Sequence, residues 1–121
     1  MTGTYHKDIG LPPVVCELVG RHFDFTFSAH ALHACLNDRY GKFVPPSELT
    51  VQLGQIVEVA LFKGTIQKAV IRIPHDENFD IVVVFIPEGR GVGFVKTCWL
   101  NHKKDDHSTL DKSKYSTYVV P

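Results

Sequence analysis

The 121-residue chain has one domain's length, balances 13 Lys plus Arg against 13 Asp plus Glu, and is 44% hydrophobic. That balance excludes a bulk positive field able to hold nucleic acid or an anionic membrane nonspecifically, and the composition excludes a disordered chain. No run reaches the roughly 18 apolar residues of a membrane span, and the opening MTGTYHKDIG lacks a signal-peptide pattern. Cys16, Cys35 and Cys98 are odd in number and far apart, which fits reduced thiols better than a disulfide framework. The expected setting is the cytoplasm, with no membrane partner.

Residues 1–22 mix Gly3, Gly10, Pro12 and Pro13 with a short apolar segment and read as an N-terminal arm, ahead of a single domain over 23–121. Phe23, Phe25 and Phe27 alternate with polar residues, the period of a half-buried strand. Ser28 then stands as an N-cap before AHALHACLNDRY, where Ala31, Leu32, Cys35 and Leu36 fall at helical spacing and Gly41 is placed to end the helix. A second, shorter helix is expected after Pro45 and Pro46, capped by Ser47 and stopped by Gly54, although threonine and valine there also suit a strand.

From Ile56 the pattern becomes that of strands. IVEVALF, a Lys63-Gly64 turn and TIQKAVIRIP make a hairpin, and Asp80 leads into the uninterrupted apolar run IVVVFIP. EGRGVG contains G-x-G-x-G but is followed by the strand-like FVKTCWL, which points to a hairpin turn and not to a phosphate loop. The resulting expectation is an α+β fold: one or two N-terminal helices packed on a four- to five-stranded, mainly antiparallel sheet. Either Phe23 to Phe27 or Ile56 to Phe62 is an edge able to pair two copies, and the oligomeric state stays open.

The densest chemistry lies between Lys96 and Tyr115, KTCWLNHKKDDHSTLDKSKY, where five lysines face three aspartates. Metal-free cleavage of RNA through its 2′-hydroxyl needs a base, an acid and donors around the phosphorane. His107, His102 and His30 are the candidate acids and bases. Arg39, Thr109, Lys112, Lys114 and Tyr115 are the candidate phosphate contacts, with Trp99 stacking a base. No cofactor is implied. A metal set of Cys98, His102 and His107 with His30 or His33 matches no standard zinc spacing, so no metal is expected. The competing reading is a solvated loop of turn formers with Trp99 in the core.

FTFSAHALHACLNDRYG and KTCWLNHKKDDHSTLDKSKY resemble stretches of a group of small phage and bacterial proteins, together with Arg72-Ile73-Pro74 between them. That group is similar in layout to RelE-like and barnase-like toxin ribonucleases. The resemblance implies a metal-independent endoribonuclease acting on RNA, with an antitoxin or host protein as a further partner and, if phage-encoded, the host cytoplasm as its location. It implies an acid or base at His107, a second at His102 or His30, and phosphate contacts at Arg39, Thr109, Lys112 and Tyr115. RelE-like toxins are basic whereas this chain is neutral. The alternative is a non-enzymatic phage accessory protein that inhibits a host protein or sequesters a nucleotide signal.

Overall fold

The computed structural model describes residues 16–104 and, as backbone, residues 116–119. One sheet runs through it, ordered β2-β1-β6-β5-β4-β3-β7. The strands are β1 (His22–Phe27), β2 (Glu48–Thr50), β3 (Ile56–Phe62), β4 (Thr65–Pro74), β5 (Phe79–Glu88), β6 (Val92–His102) and β7 (Ser116–Val119). The helix α1 (Ala29–Leu36) follows β1, and a 3₁₀ turn (Leu53–Gln55) precedes β3. No helix among the described residues is long and apolar enough to cross a membrane.

The antiparallel run β3-β4-β5-β6 follows from local signals. Lys63 and Gly64 both take positive φ, 51° and 79°, the conformation a two-residue hairpin loop requires. β5 is buried continuously from Ile81 to Phe85 because it lies inside the sheet with β4 and β6 on either side. At the β5–β6 turn, Arg90 and Gly91 carry the positive φ values, 66° and 74°.

Two findings overturn the expected α+β layout. The sheet is mixed and seven-stranded, because β1 joins β6 in parallel, Asp24 to Phe27 matching Val92 to Val95. Only one α-helix of any length, α1, stands among the described elements. The segment after Pro45 and Pro46 forms no second helix. It runs as β2 antiparallel to β1, and its backbone bonds extend the pairing on both sides. Phe25 N–H donates to Ser47 O (2.8 Å), and Val51 N–H to Arg21 O (2.9 Å). β-Branched Thr50 and Val51 lose little in an extended strand, and an open edge at β1 supplies the partners that a lone short helix lacks.

The principal core lies between the sheet and α1. Phe23 and Phe25 set their rings edge-on to Phe85 at centroid distances of 5.1 and 5.2 Å, with Val83, Val95, Cys98 and Ala31 beside them. Leu18, within the stretch read as an arm, is fully buried in the same core. Gly93 is required where β6 passes this cluster, since a Cβ there would stand 2.8 Å from Phe25 and 3.0 Å from Phe85. The opposite face carries a smaller cluster, Val70, Val82 and Val84, joined by Trp99 and Val57.

Candidate functional site

The site grows from the way β6 changes neighbours. β1 covers its edge only as far as Val95, where Ser28 N–H donates to Val95 O (3.1 Å). Ser28 then turns the chain into α1: its Oγ accepts from Ala31 N–H (3.0 Å) and donates to Lys96 O (3.2 Å). One serine therefore caps a helix and satisfies a strand carbonyl, at the point where Lys96 is the extra residue of a bulge against β5.

α1 ends earlier than Gly41. Asn37 donates to His33 O through both its backbone N–H (3.0 Å) and its Nδ2 (2.9 Å). Asp38 then divides its carboxylate, Oδ1 accepting from Leu100 N–H and Oδ2 from Tyr40 N–H, each at 3.0 Å. The first of these bonds holds the turn after α1 against the free edge of β6. An open cleft of ≈ 440 Å³ results, lined by Asn37, Asp38 and Arg39 on one side and by Thr97, Trp99 and Asn101 on the other. Two predicted ligand contacts, Arg39 and Trp99, thus line one opening, although the Trp99 ring lies on the sheet face away from α1. Trp99 Nε1–H donates to Asn101 Oδ1 at 3.4 Å, and the rest of its ring packs on the small valine cluster.

His102 stands at the end of the cleft strand. Its ring lies 4.6 Å from Phe79 and 4.9 Å from Tyr40, and the Arg39 guanidinium sits 4.7 Å over the Tyr40 ring, so Arg39, Tyr40 and His102 form one exposed chain of contacts. The strand end is clamped by Asp80. One of its carboxylate oxygens takes Arg72 Nε–H (3.2 Å) and the other Lys103 Nζ (2.7 Å), while Arg72 also donates to His102 O (2.7 Å). A second hollow of ≈ 290 Å³, lined by Glu77, Asn78, His102, Lys103 and Lys104, adjoins it. Nearby, Asp76 Oδ1 accepts from Asn78 and Phe79 N–H at 2.8 Å each, and these bonds hold its carboxyl below the usual range.

His30 does not join this group. It is exposed in the first turn of α1, while Arg39 follows the last turn, so ~9 Å of helix lies between them. His107, Thr109, Lys112, Lys114 and Tyr115 lie outside the described residues. The chain is described again at Ser116, which pairs with Leu61 beside the Lys63-Gly64 hairpin. His102 pairs with Phe79 at the opposite end of the strands, and β6 and β7 are four positions apart, ~19 Å across the sheet. The two described anchors of the Lys96–Tyr115 stretch therefore occupy opposite corners of the sheet.

Cys98 lines the cleft by position, but its thiol is buried against Cys35, Sγ to Sγ 2.7 Å. Burial pushes both thiols above the usual range, Cys98 the further. One three-residue group able to hold a metal is found among the described residues: His22, Asp24 and Glu48, all exposed, their donor atoms within 4.8 Å of one another on the β1–β2 edge. It shares no residue with the cleft.

The residues sequence reasoning missed are the two positioning carboxylates, Asp38 and Asp80. Asp38 carried a usable signal, since Asn-Asp directly after a helix favours side-chain-to-backbone bonding. Asp80 carried none, because its partners Arg72 and Lys103 lie on other segments. No family model, curated protein or solved structure matches this chain.

Proposed function

We propose that the chain binds a nucleotide or an RNA end in the cleft between β6 and the turn after α1. The observation that carries this is one opening lined by both Arg39 and Trp99, with Asn37, Asn101 and Thr97 also on its walls. An exposed guanidinium supplies a bidentate phosphate contact, an indole edge or face meets a base, and the amides offer both donors and acceptors. A local site of this kind suits a chain of zero formal net charge, which lacks the bulk field of a nonspecific RNA binder. In a phage-encoded accessory protein, such binding sequesters a nucleotide signal in the host cytoplasm.

Trp99 is the single tryptophan of the chain, so its fluorescence reports the surroundings of this one cleft-lining residue. Titration with nucleoside mono- and diphosphates and short RNA oligonucleotides is expected to quench it, with affinity falling as salt rises. Arg39→Ala is expected to weaken binding at least tenfold without altering stability. Unchanged fluorescence and no heat of binding with every ligand would exclude the cleft.

A second reading, metal-independent endoribonuclease, is favoured by His102, which is exposed beside the cleft in a contact chain reaching Arg39. In this reading His102 and His107 share the acid and base roles. Incubation of wild type, His102→Ala and His107→Ala with total RNA and EDTA tests it: fragments with cyclic-phosphate ends from wild type alone support cleavage, and intact RNA throughout leaves binding as the function.

A further inference from the structure

Cys35 on the last turn of α1 and Cys98 in the middle of β6 are separated by 63 positions, yet their sulfurs are 2.7 Å apart. Both are buried, at 1% and 0% exposure, inside the principal core. The surroundings hold them from both sides. Ser28 Oγ donates to Lys96 O (3.2 Å) at the start of α1 and Leu100 N–H donates to Asp38 Oδ1 (3.0 Å) just after its end, so helix and strand are tied on either side of the pair. Cys16, the third thiol, is partly exposed on the segment before β1.

We propose that Cys35 and Cys98 form a reversible disulfide that staples α1 to β6 beneath the cleft. A disulfide needs facing sulfurs about 2 Å apart, and these two, already facing, have ~0.7 Å to close. The oxidant class is a small-molecule disulfide such as oxidised glutathione. One cysteine thiolate attacks a sulfur of the oxidant, forming a mixed disulfide and expelling a small thiolate. The second cysteine thiolate then attacks the protein sulfur of that mixed disulfide and expels the other. Two protein thiols are oxidised, one small disulfide is reduced to two small thiols, and the two cysteine protons end on them. In a reducing compartment the bond is a transient mark of oxidation, and in an oxidising one it persists. The inference is independent of which ligand the cleft takes.

The full chain carrying Cys16→Ser leaves only this pair. It is unfolded, refolded in a glutathione redox buffer to remove any barrier of access, and read by intact mass and thiol titration under denaturing conditions. The expected result is loss of both thiols, a mass lower by two hydrogens with no retained glutathione, and full reversal by dithiothreitol. The oxidised form should melt roughly 10 °C above the reduced form. In the Cys16→Ser, Cys35→Ala chain, Cys98 should instead retain glutathione or stay free. Two free thiols, or stable glutathione adducts on both cysteines of the Cys16→Ser protein, would overturn the proposal.

Discussion

The two halves of β6 are one strand under two regimes. From Val92 to Val95 it has strands on both sides, β1 and β5, and its inward residues pack on phenylalanine rings. From Lys96 to His102 it keeps β5 but loses β1, and side chains take over: Ser28 bonds the Lys96 carbonyl and Asp38 the Leu100 amide. A strand satisfied by another strand leaves no room for a ligand. A strand satisfied by side chains from the two ends of a helix opens a cleft, because those side chains reach the edge singly and leave gaps between them.

That contrast can be broken from either half. Gly93→Ala strikes the paired half, where the new methyl meets Phe25 and Phe85. A loss of about 3 kcal/mol is expected in urea unfolding, with ligand affinity unchanged in the folded fraction. Asp38→Ala strikes the open half: it removes the acceptor of two backbone amides, costs about 2 kcal/mol, and also weakens ligand binding because the turn bearing Arg39 comes loose. If Asp38→Ala lowers stability but leaves affinity intact, the cleft is not the binding site. Ser28→Ala, at the junction, should cost about 1 kcal/mol through the lost cap.

The smallest effect concerns pH. The ordinary thiol value is 9.0, and folding raises both Cys35 and Cys98 above it. Raised folded values mean that the native state keeps protons the unfolded chain releases. Their contribution is therefore full below pH 9 and is lost as pH rises through the folded values. Chemical denaturation of the reduced protein between pH 8 and pH 10.5 should show falling stability. The Cys35→Ala chain should show a shallower fall.

The strands β3 to β6 were readable because period-two patterning and the Lys63-Gly64 turn act over a few residues. β2 and β7 were not. Each is only three or four residues long, and their extended form is set by partners β1 and β3 far away in the chain, so the local pattern at Ser47 to Leu53 pointed to a helix instead. The parallel match of β1 with β6 has no local signature at all. Arg39 and Trp99 could each be singled out by chemistry, but their place around one opening depends on the Asp38 to Leu100 bond, which no spacing rule reveals. Grouping His30 with His102 failed for a simpler reason: His30 sits in the first turn of α1, whereas His102, at the end of β6, touches Tyr40 beyond the helix's last turn, so the helix holds the two apart. The odd cysteine count hid a pair, since counting cannot show that two of three thiols touch.

The junction of β1 with β6 also bears on how the molecule assembles. The antiparallel run from β3 to β6 needs only short loop closures, and its tightest turn lies at Lys63 and Gly64. Joining Phe27 to Val95 requires the whole intervening chain to be gathered first, and that closure entropy has no reward until the phenylalanine cluster forms. The meander is therefore the early-forming body. On this topology β1, α1 and with them the cleft are expected to form after the meander, so ligand occupancy should slow global unfolding more than it speeds folding.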